Sequence, residues 1–227
     1  MTHNIIPLFL LSLLISCGPS KFVEPIAYKQ ISVGGHFGGP LIDQGAPIPL
    51  PITAIEIGYG IDTNITIFGG LHTTAILFGN LQIDIGSTFK VLDQEKYRPS
   101  ISITPGFNCI YSFSESVGKF WPTIDANAYW NYGQKRSYLY FGFNNYFELI
   151  STTANNQPQA NRWLFNPQIG HVLKGKKGQG QFTTEIKWLG PNQSNDYAFI
   201  PYSTPHGNQG AIGIYLGYRW LLNNNIK

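Results

Sequence analysis

The C-terminal stretch Gly210–Leu222, GAIGIYLGYRWLL, decides the reading of the chain. Ile212, Ile214, Leu216, Tyr218, Trp220 and Leu222 fall on one parity. Gly213, Tyr215, Gly217 and Arg219 fall on the other. Six apolar residues at strict spacing of two are a β-strand with one apolar face, because successive side chains of a strand point to opposite sides. A helix would need spacings of three and four.

The same alternation recurs upstream. It appears near 29–37, 52–61, 64–71, 75–88, 99–111, 122–132, 137–149, 162–173 and 179–189. In SYLYFGFNNYFEL (137–149), Leu139, Phe141, Phe143, Phe147 and Leu149 oppose Tyr138, Tyr140, Asn144 and Glu148. No segment after Cys17 shows helical periodicity. About ten antiparallel strands are expected over residues 29–222. The phase does not flip across Leu71–Ala75. A three-residue turn at 72–74 gives ten strands, and one continuous strand there gives nine.

Composition agrees. Charged residues make up 12% of the 227, about half the usual quarter, and aromatics 15%. Scarce charge with 43% hydrophobic residues excludes a disordered chain and a coiled coil. The net charge of +3 is dispersed, and no basic block suits nucleic acid.

Residues 5–16, IIPLFLLSLLIS, are too few to span a bilayer as a helix and have the length of a signal-peptide core. They lead into Leu14-Ile15-Ser16-Cys17-Gly18, which resembles the lipobox of bacterial lipoproteins. The resemblance covers five residues and implies lipidation at Cys17. The preceding Met1–Asn4 lacks the Lys or Arg usual there. Residues 1–16 are therefore expected to be a signal peptide, 17–28 a lipidated N-terminus and linker, and 223–227 a polar tail. The only other cysteine is Cys109, so a chain lipidated at Cys17 holds no internal disulfide.

Alternation leaves two architectures. In a soluble barrel the apolar face is the interior; in a transmembrane barrel it meets lipid and the polar face lines the lumen. Three features favour the second. Trp130, Trp163, Trp188 and Trp220 lie on apolar faces near strand ends, as in the aromatic girdles of a membrane barrel. The connections 38–51, 112–121, 150–161 and 190–209 read as long, and 62–63, 133–136 and 174–178 as short. Apolar faces carry no charge in mid-strand, while polar faces carry Glu56, Asp84, Asp125, Glu148, Arg162, Glu185, Lys187 and Arg219.

The chain thus resembles, at the level of class, bacterial outer-membrane barrels of Gram-negative origin. The resemblance implies an all-β, antiparallel, up-and-down transmembrane barrel with both termini periplasmic. The charges of the polar faces are expected to pair into a polar network filling a narrow lumen. Outer-membrane lipids are the expected partners, with extracellular ligands at the four long loops. A narrow channel and a lipid-tethered soluble barrel binding an apolar ligand stay open as alternatives. No catalytic constellation is expected: His206 has Ser203 and Asp196 near it in sequence only, and His72 reads as a turn residue. No metal-binding spacing and no cofactor motif appear.

Overall fold

The computed structural model describes residues 18–134, 136–151, 161–175, 179–196, 198 and 200–222. The signal-like segment, Cys17 and the 223–227 tail lie outside the described residues.

The alternating segments become strands β1 (Ile31–Asp43), β2 (Pro47–Pro49), β3 (Thr53–Asp62), β4 (Ile65–His72), β5 (Asn80–Leu92), β6 (Ser100–Ser112), β7 (Val117–Tyr132), β8 (Ser137–Phe147), β9 (Trp163–Lys174), β10 (Gly180–Ser194) and β11 (Gln209–Leu222). Each barrel strand pairs antiparallel with its neighbours in sequence order, and β11 pairs with β1 to close the sheet. Ten strands form the wall. β2 folds back on β1 alone, through Leu41↔Pro49 to Asp43↔Pro47. Closure leaves the ten-stranded wall without a terminal edge strand.

Three connections differ from the sequence reading. The 112–121 stretch is no long loop: β6 and β7 pair through Ser112↔Val117, leaving only residues 113–116 to turn. Lys119 and Pro122 obscure the alternation there. The first loop is shortened likewise, because β1 runs to Asp43. Between β4 and β5 the chain makes one helical turn, α1 (Thr73–Leu77), stopped at Gly79 with φ of 72°. Thr53 Oγ1 holds it through the hydroxyls of Thr73 at 2.7 Å and Thr74 at 2.9 Å.

The wall is apolar outside and polar inside. Ile57, Ile85, Ile169 and Ile186 are each at least half exposed, whereas Glu185, Lys187, Gln82 and Asn166 are at most 2% exposed. That is the reverse of a water-soluble domain. No helix among the described residues is long and apolar enough to cross a membrane. One rim carries the connections 63–64, 93–99, 133–136 and 175–179, and the other carries 44–52, α1, 113–116, 148–162 and 195–208.

Residues 18–28, expected as a linker, run inside the wall. Pro19, Ser20, Phe22, Val23 and Ile26 are buried. The chain turns at Tyr28–Lys29, where the Lys29 amide donates to the Gly60 carbonyl, and then joins β1.

Large and small residues interlock inside. A Cβ on Gly170 would lie 2.2 Å from Tyr140 Cζ, and one on Gly58 2.3 Å from Phe22 Cζ. Gly170→Val is therefore expected to drive the Tyr140 ring off its seat and cost about 1–3 kcal/mol through overpacking. A fall in the temperature at which the folded form is lost on a detergent gel would show it.

Candidate functional site

The lumen is where this chain concentrates polar chemistry, and residues 18–28 are at its centre. Wall side chains grip this segment mainly by its backbone. The Ser20 amide donates to Glu185 Oε2 at 3.1 Å, and Lys187 Nζ donates to the Gly18 carbonyl at 2.8 Å. Arg219 donates to the Lys21 carbonyl. Ser102 Oγ donates to the Val23 carbonyl at 2.6 Å, and the Ile26 amide donates to Thr66 Oγ1 at 2.9 Å. These partners come from β4, β6, β10 and β11, so the segment is held from several sides. Buried backbone groups need such partners, since water is excluded.

Its side chains are matched as well. Phe22 stacks on Phe68 with ring centroids 5.6 Å apart, and the Arg219 guanidinium lies 3.8 Å from the Phe22 centroid. Val23 packs with Tyr129, Tyr138, Tyr140 and Val172. Lys21 Nζ is 3.0 Å from Asp84 Oδ2. Glu24 pairs with Lys174 near the rim where the segment enters.

Most of the charged residues singled out in the sequence face this lumen. Arg219 binds Glu56 Oε1 through Nη2 at 2.7 Å. Glu185 lies 3.4 Å from Lys187 and accepts the Tyr140 hydroxyl at 2.7 Å. Asp84 accepts from Asn108 and lies 2.7 Å from His72 Nε2. Asp125 accepts from Asn144. Glu148 takes the Trp121 indole N–H at 2.8 Å, nearer the other rim. Arg162 departs from the expected network: it is exposed and precedes β9, offering its carbonyl to the Glu148 amide.

The register places Trp130 and Trp220 toward the rim that residues 18–28 enter, and Trp163 and Trp188 toward the opposite one. Trp130, Trp163 and Trp220 are exposed on the outer face, and Trp188 is half-buried. Trp121, fully buried in the lumen, belongs to the 112–121 stretch that the sequence pattern presents as a loop.

Sequence reasoning also missed Lys21, Phe22 and His72 as lumen residues. The available signal was Phe22, Val23 and Ile26, three apolar residues in what passed for a linker. No triad forms around His206, which is exposed, while Asp196 is engaged by the Asn208 amide at 2.7 Å. No group of His, Cys, Asp and Glu among the described residues is arranged to hold a metal ion. Polar and aromatic side chains fill the interior around residues 18–28, and two cavities there measure about 30 and 10 Å³.

Among solved structures, the crystal structure of the outer membrane protein OprG from Pseudomonas aeruginosa is similar to this chain. The identity is 11% and the TM-score 0.33, with 88% of this chain and 99% of that one covered. No protein-family model and no curated protein matches the chain.

Proposed function

We propose that this protein is a non-enzymatic outer-membrane barrel of a Gram-negative bacterium, closed by its own N-terminal segment, with loops on the cell surface. The inside-out polarity of the wall carries the reading: isoleucines face outward while glutamate, lysine and glutamine are buried. An aqueous exterior would leave this apolar belt unburied, and lipid would cover it. With residues 29–30 and Leu222 at the same rim, both ends of the barrel face the periplasm. The 195–208 and 148–162 connections are then the longest in sequence on the extracellular side.

Lipidation at Cys17 is supported by the lipobox-like stretch Leu14-Ile15-Ser16-Cys17-Gly18. Acyl chains on Cys17 need the inner leaflet, but Gly18 is bonded to Lys187 inside the wall. An acylated Cys17 is expected to show directly in the intact mass of the membrane-extracted protein.

The location is tested by fractionation and gel mobility. The full chain is expected in outer-membrane fractions, with a folded band in detergent that shifts on heating. A chain lacking residues 1–17 that stays monomeric in buffer without detergent overturns the reading.

A further inference from the structure

Among the described residues, the wall side chains buried in the lumen include more carboxylates than Lys or Arg groups. Glu56, Asp84, Asp125, Glu148 and Glu185 are buried against Lys187 and Arg219 among the described residues. Glu56 takes Arg219, and Glu185 takes Lys187. Asp84 has no Lys or Arg of the wall within ion-pair distance; the ammonium it binds is Lys21, carried in by residues 18–28. Asp125 has no cation within ion-pair distance among the described residues. A cavity of about 30 Å³, room for a water, is lined by Lys21, Asp84, Asp125 and Asn144. Beside Gly18, His36 is 6% exposed and neither ring nitrogen has a hydrogen-bond partner; its ring meets His72 edge-on at 6.2 Å.

The segment filling this space adds nothing to the wall. β1 already pairs with β3 on one side and β11 on the other, and the ladder is complete without residues 18–28. They are held by side chains reaching in, and can leave without breaking an inter-strand bond. Their departure takes from Asp84 its Lys21 ammonium, leaving it with Asn108 and His72, and leaves Asp125 beside it with no ion-pair partner among the described residues.

We propose that Lys21 occupies a cation-selecting constriction formed by Asp84 and Asp125, and that residues 18–28 are a displaceable plug over a cation path through the barrel. This rests on the membrane reading above. The lysine ammonium is a tethered stand-in for the permeant ion, a small inorganic cation such as potassium.

The test is planar-bilayer recording of the full chain in a potassium chloride gradient. The unaltered protein is expected to be silent. Lys21→Glu sets like charge against Asp84 and is expected to raise the current at least several-fold, with a reversal potential toward the potassium equilibrium value. Lys21→Gln, a gentler change, is expected to open less often with the same selectivity. Lys21→Glu combined with Asp84→Lys restores an ion pair and is expected to close the pore again. Variants that show the heat-shifted folded band yet stay silent overturn the proposal and leave the membrane reading standing. So do an anion-selective current and an unaltered protein that conducts as much as the variants. Absence of any folded band in detergent from the unaltered chain overturns both.

Discussion

Arg219→Met is expected to destabilise the folded barrel by about 3–5 kcal/mol, the cost of stranding one partner of a buried ion pair. Glu56 is 9% exposed, and Arg219 reaches its Oε1 with Nε at 3.1 Å and Nη2 at 2.7 Å. The same guanidinium donates to the Lys21 carbonyl and covers the Phe22 ring. One side chain thus joins wall to plug. Methionine fills much of the volume but leaves a carboxylate without a counter-charge and a backbone carbonyl without a donor. Urea unfolding in lipid vesicles measures the loss as a lower midpoint at unchanged slope. The double variant Glu56→Gln, Arg219→Met is expected to recover part of it, because no charge is then stranded. Arg219→Lys keeps the charge but lacks the planar fork that contacts Glu56, Lys21 and Phe22 together, and falls between. A midpoint for Arg219→Met equal to that of the unaltered protein would sink the claim that this residue ties the segment to the wall.

The wall was legible in the sequence because a strand writes its two faces as alternate letters. Tyr138, Tyr140 and Tyr215 were assigned to the lumen by parity alone, and each is 1% exposed there. Parity fails where a strand's own composition breaks it. Lys119, Trp121 and Pro122 open β7 with a charge, an inward indole and a proline, so the strand read as a loop. Arg162 shows the opposite error: alternation was extended one residue beyond the start of β9. The plug was illegible for a deeper reason. Residues 18–28 pair with no strand and carry no periodicity. Their partners, such as Glu185, Lys187 and Arg219, lie more than 160 residues away in sequence. Nothing in the local pattern couples Lys21 to Asp84. A surplus of acids on the polar faces was visible, but the cation that answers it sits outside every alternating segment.

Ile186→Arg is expected to cost about 2–4 kcal/mol, the penalty for a charge on the lipid face of a barrel near the midplane. Ile186 is 50% exposed on β10, paired with Ile169 and Ile214, each well inside its own strand. Ile61→Arg is the matched control. Ile61 is similarly exposed at 44% but lies one residue from the end of β3, at the rim, where about 0–1 kcal/mol is expected. Equilibrium unfolding from vesicles compares the two. Exposure alone does not separate them, so water on the outer face predicts two near-neutral substitutions, each within about 0.5 kcal/mol. Lipid predicts a difference set by depth. The neighbouring Lys187 sharpens the contrast: one residue along the strand, on the opposite face, a cation is 1% exposed and bonded to Gly18 and Glu185. The barrel tolerates charge inside because partners wait there. Outside, an arginine at position 186 would have only the apolar side chains of β9 and β11 beside it and no water to turn toward, and its penalty measures what surrounds the wall.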